Sequence, residues 1–125
     1  MRHAKVLLVD DEVEFGTTLA ERLRLRKYDA TCAFFPEDAF RGLRDSPPDV
    51  VLLDMKMPGM DGKDVLREIK RIDPTIEVII LTGVGMTQDI EPLLENGAFD
   101  CILKPIDIEV LTMKINEAQQ KRERS

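Results

Sequence analysis

Five short apolar runs constrain this chain more than any other feature: Lys5 to Val9, Asp29 to Ala33, Val50 to Leu53, Glu77 to Leu81 and Cys101 to Leu103. Most are apolar at consecutive rather than alternating positions. That pattern belongs to strands covered on both faces, and so to a parallel sheet flanked by helices. Between the runs the period changes to that of an amphipathic helix. Phe15, Leu19 and Leu23 share one helical face, then Ala39, Phe40 and Leu43, then Val65, Leu66, Ile69 and Ile72. Ile90, Leu93 and Leu94 follow, and last come Ile108, Leu111, Ile115 and Ala118. The expectation is a single α/β domain over residues 1–125, built of five strand-helix units with right-handed crossovers.

The punctuation agrees. Ser46-Pro47-Pro48-Asp49 leads into the third strand, Met57-Pro58-Gly59-Met60-Asp61-Gly62 leaves it, and Glu95-Asn96-Gly97 closes the fourth helix. Asp11, with Glu14 three residues later, suggests a capping box for the first helix. The polar tail from Asn116 is either a fraying last helix or, from about residue 119, the start of a linker.

Composition excludes several function classes. With 24 acidic and 18 basic residues the net charge is −6, and basic residues cluster only near the end, which argues against binding to nucleic acid or to an anionic membrane. No apolar run is long enough to span a bilayer, and the segment after Lys5 is too short for a signal peptide. Cys32 and Cys101 both fall in strand-like segments, so a cytoplasmic location and two buried thiols are expected.

Ligands of open parallel sheets sit beyond the carboxyl ends of the strands. Here those ends carry chemistry: Asp10 and Asp11 after the first strand, Asp54 after the third, Thr82 after the fourth and Lys104 after the fifth. With strands ordered 2-1-3-4-5, the first and third are neighbours and three carboxylates converge. Gathered carboxylates repel one another unless a cation neutralises them. Mg²⁺ suits such a site, because it takes one or two carboxylates and accepts a phosphoryl oxygen. It would bridge Asp11, Asp54 and the backbone carbonyl of Lys56, with Asp10 acting through water. A carboxylate so neutralised can itself be a phosphoryl acceptor. Thr82 and Lys104 would then donate to the phosphoryl oxygens.

These residues carry a resemblance. Val-Asp-Asp at 9–11, Leu-Asp-Met-Lys-Met-Pro-Gly-Met-Asp-Gly at 53–62, Leu-Thr-Gly at 81–83 and Lys-Pro at 104–105 resemble the response-regulator receiver domains of bacterial two-component signalling. The likeness runs from about Lys5 to Gln120. It implies a flavodoxin-like (βα)5 sandwich with the strand order used above. It also implies Asp54 as phosphoacceptor, Asp10 and Asp11 as the Mg²⁺ pair, Thr82 as the switch hydroxyl and Lys104 as the phosphate-sensing lysine. Gly62 would end the turn after the acceptor loop, and the Lys104-Pro105 peptide would be cis. The implied donor is a phosphohistidine on a sensor kinase or phosphotransfer protein. The implied output is a partner or attached output domain reached through the helix 4 to helix 5 face, or a phosphorylation-dependent homodimer. The chain would be a stand-alone regulator or the receiver of a longer transcription factor.

One position departs from the family. Cys101 stands where most receivers carry the aromatic ring that turns inward with the switch hydroxyl, and Phe99, on the same strand face, is a candidate substitute. Lys56 and Val84 occupy positions that tune access of water to the acyl phosphate, and the expectation is slow self-hydrolysis. Two alternatives are a phosphorylation-independent interaction module and an Asp-nucleophile phosphohydrolase. The second would need a further acid where this chain has Lys56.

Overall fold

The computed structural model describes residues 3–54, 61–83 and 90–125. Five strands and five helices alternate: β1 (Lys5–Val9), α1 (Val13–Leu25), β2 (Asp29–Ala33), α2 (Pro36–Asp45), β3 (Val50–Asp54), α3 (Gly62–Ile72), β4 (Glu77–Thr82), α4 (Ile90–Glu95), β5 (Asp100–Leu103) and α5 (Ile108–Glu123). All strand pairs are parallel and the order is β2-β1-β3-β4-β5. The flavodoxin-like expectation is therefore met. The central strands β3 and β4 are buried along their whole length, which explains their unbroken apolar runs.

Alternate residues of each strand feed two cores. Val6, Leu8, Leu52, Ile79, Leu81 and Ile102 pack under α1 and α5 with Leu19, Leu23, Leu111 and Ile115. Leu7, Val9, Val51, Leu53, Val78 and Ile80 pack under α2, α3 and α4 with Leu43, Leu66, Ile69 and Leu93. Sheet and helices form three layers, and both helical layers are closed by apolar stripes read from the sequence.

Several boundaries differ from the sequence reading. The Asp11-Glu14 capping box does not form: Glu12 is the N-cap of α1, without a side-chain cap bond. The competing bond is Glu12 N–H donating to Asp10 Oδ1 at 2.8 Å, a local turn that draws the acid side chain inward instead. The tail is helical past residue 119, because α5 continues to Glu123. Gln119 is buried, and Arg122 pairs with Asp49 at 3.0 Å and with Asp73 at 3.5 Å, which ties the helix end to the segments preceding β3 and β4. Among the described residues no helix is long and apolar enough to cross a membrane.

Candidate functional site

The pairing register explains why the strand ends meet. Val9 lies opposite Leu53, so Asp10 and Asp54 leave neighbouring strands at one level. Thr82 lies opposite Leu103, and Lys104 N–H donates to the Thr82 carbonyl at 2.7 Å. Asp10, Asp54 and Thr82 are all buried, at 2%, 3% and 1% exposure. Buried polar groups of this kind normally carry a local partner.

Two of their oxygens lack one among the described residues. Asp10 Oδ2 and Thr82 Oγ1 are buried with no hydrogen-bond partner among the described residues, while Asp10 Oδ1 accepts from Glu12 N–H. Asp54 is engaged: the Lys104 ammonium lies 3.3 Å from its Oδ2. The Asp10 carboxyl is pushed up to about 7 by burial, opposed by the Glu12 N–H bond and assisted by the charge of Asp54.

Carboxylate oxygens of Asp10, Glu12 and Asp54 lie within 4.8 Å of one another. All three donors are hard carboxylate oxygens, and Asp10 carries a buried oxygen, Oδ2, without a hydrogen bond among the described residues, so the set fits Mg²⁺ chemically. Glu12 is the member that sequence reasoning missed. Its signal was the run of three acids at 10–12, and the turn at Asp11 brings the first and third together. Asp11 itself is half-buried and stands outside that group.

Residues 6–116 match the family description response regulator receiver domain. The chain belongs to the response-regulator receiver family. It is 38% identical over 109 residues to sporulation initiation phosphotransferase F of Bacillus subtilis, covering 87% of this chain and 88% of that protein. It is 34% identical over 113 residues to the transcriptional regulatory protein ZraR of Salmonella typhimurium, covering 90% of this chain but only 26% of ZraR. The receiver therefore spans about a quarter of the length of that larger regulator. Among solved structures, a response regulator receiver domain protein from Clostridium thermocellum superposes with a TM-score of 0.91 at 34% identity, covering 96% of this chain and 97% of that one.

Other receiver positions fall as follows. Gly62 is the first residue of α3, buried, just after the N-cap Asp61. The Lys104-Pro105 peptide is cis. Lys56 and Val84 lie outside the described residues. Cys101 packs in the layer of α2, α3 and α4, the face that Thr82 shares by strand alternation. Phe99 does not share it: its ring packs against the opposite core, because it precedes β5 and escapes the strand's alternation. Phe99 is therefore no stand-in for the missing aromatic. Both thiols are free and half-buried instead of fully buried, on the two edge strands. Burial, then the charge of Asp100, pushes Cys101 up to about 11.

Proposed function

We propose that this receiver accepts a phosphoryl group on Asp54 from a phosphohistidine of a sensor kinase or phosphotransfer protein. The observation that carries the reading is Asp54 itself, a buried carboxylate at the end of a central strand, 3.3 Å from the Lys104 ammonium and grouped with Asp10 and Glu12. In the transfer an Asp54 carboxylate oxygen forms the new bond to phosphorus. The donor N–P bond breaks and its electron pair stays with the imidazole.

Asp10, Glu12 and Asp54 would hold Mg²⁺; the parts of Asp11 and of the Lys56 carbonyl rest on the family resemblance. When bound, the ion supplies partial neutralisation of the carboxylates and a site for a phosphoryl oxygen. Lys104 supplies a second positive charge beside the acceptor. Thr82 keeps a buried hydroxyl in reserve, and the incoming phosphoryl oxygens offer an acceptor that it lacks among the described residues.

New bonds from Thr82 and Lys104 would contribute about 1.5–3 kcal/mol each. Moving a two-state equilibrium from 1:99 to 99:1 takes about 5.5 kcal/mol. Together they supply about 3–6 kcal/mol, which reaches that figure at its upper end, and part of the Lys104 contribution already goes to Asp54 before phosphorylation. Leu94, Leu103, Val110 and Met113 are exposed on α4, β5 and α5, and we assign this apolar surface to the downstream partner or output domain.

Phosphoramidate, a small N–P donor, tests the reading. Wild type with Mg²⁺ should take up one phosphoryl group and Asp54→Asn none. Equal uptake by Asp54→Asn would refute it.

A further inference from the structure

We propose that Phe15 is a positioning residue that aims Lys104 at Asp54. The inference rests on the receiver reading above and adds a residue whose sequence pattern marked only a helix core position. The Lys104 ammonium lies 4.4 Å from the centroid of the Phe15 ring while standing 3.3 Å from Asp54 Oδ2. A cation this close to an aromatic face is attracted by the ring quadrupole, and more strongly where water is partly excluded. Only 23% of the Lys104 side chain is exposed.

The fold makes the meeting specific. Ile102 packs under α1 and α5, and Lys104, just past the end of β5, meets Phe15 where that ring packs against the same core from α1. Phe15 is anchored by that core, whereas lysine has a flexible four-carbon stem and a point charge free to swing into solvent. A neutral ring attracts the ammonium without adding another carboxylate to Asp10, Glu12 and Asp54. A carboxylate in its place would compete with Asp54 for the cation.

In a reaction with acetyl phosphate, an Asp54 oxygen forms a bond to phosphorus and the bond from phosphorus to the acetate oxygen breaks. The electron pair leaves with acetate, and no proton is required from Lys104. Phe15 touches none of the reacting atoms in this scheme. It holds the ammonium beside the acceptor before the donor arrives, so its effect is on rate through Lys104.

The experiment compares wild type, Phe15→Leu and Phe15→Tyr. The Lys104 ε-methylene protons should show an upfield ring-current shift in wild type and in Phe15→Tyr, lost in Phe15→Leu. The second-order rate of phosphorylation by acetyl phosphate with Mg²⁺ should fall roughly three- to tenfold in Phe15→Leu and recover in Phe15→Tyr. Lys104 methylene signals at the position of a solvated lysine in wild type would overturn the proposal, as would equal rates in the Leu and Tyr variants. Failure of wild type to react at all would contradict the receiver reading instead, and the methylene shift would still decide the contact.

Discussion

The Lys104 ammonium reaches across the end of β4, from β5 to β3, to stand 3.3 Å from Asp54 Oδ2. Its charge offsets those of two buried aspartates that stand side by side. In Lys104→Met, which keeps length and loses charge, Asp10 and Asp54 lose that compensation. Stability in EDTA at pH 8 should fall by about 1–3 kcal/mol, less than for a fully buried pair because Lys104 is partly exposed. Urea unfolding measures it, and a more stable variant would contradict the assignment.

Mg²⁺ should raise the melting temperature of wild type through linkage, since only the folded chain gathers Asp10, Glu12 and Asp54. The rise should shrink in Asp54→Asn and in Glu12→Gln. An undiminished response in Glu12→Gln would remove Glu12 from the ligand set.

The raised Asp10 carboxyl has a signed consequence in the metal-free protein. Its value near 7 in the fold, against 3.8 as the ordinary value, means that the folded chain binds the extra proton. The associated stability is full below the ordinary value and is lost as the pH rises to and through about 7, by at most about 1.4 kcal/mol per pH unit. Subtracting the urea-derived stability of Asp10→Asn from that of wild type in EDTA isolates it. A difference that grows with pH would have the wrong sign.

Thr82 gives a prediction in the opposite direction. Its hydroxyl is buried without a partner among the described residues, so Thr82→Val removes an unmet polar group at nearly constant volume. The unphosphorylated domain should gain about 1–2 kcal/mol in urea unfolding. Phosphorylation of this variant should still occur, while amide shift changes in β4 and β5 should be smaller than in wild type.

Two helices end in the same way on different residues. Lys27 N–H donates to Arg24 and Tyr28 N–H to Leu23, while Gly97 N–H donates to Leu94 and Ala98 N–H to Leu93. Both closing residues have positive φ, 75° for Lys27 and 106° for Gly97. A left-handed residue suits glycine. Lys27→Gly should stabilise by about 0.5–1 kcal/mol, and Gly97→Ala should destabilise by about 1 kcal/mol, both read by thermal melts.

Much of this was legible in the amino-acid order. Consecutive apolar residues at 50–53 and 78–81 announced buried parallel strands, and Asp10, Asp54, Thr82 and Lys104 stood at the strand ends where a parallel sheet places its ligands. What was not legible depends on backbone detail. Glu12 joins the acidic group because of one local turn, and Phe99 faces away from Cys101 because alternation begins only at Asp100. The hold of Arg122 on Asp49 and Asp73 spans 73 and 49 residues, and no local pattern encodes it.

The central claim is that Asp54 is the acceptor, and mapping the phosphoryl group tests it most directly. Wild type would be treated with phosphoramidate and Mg²⁺, reduced with borohydride and digested, so that an aspartyl phosphate is recovered as homoserine at its own position. Homoserine at position 54 alone is the predicted result. Homoserine at Asp10 or Asp11, or none in a protein that has gained the mass of a phosphoryl group, would contradict the account.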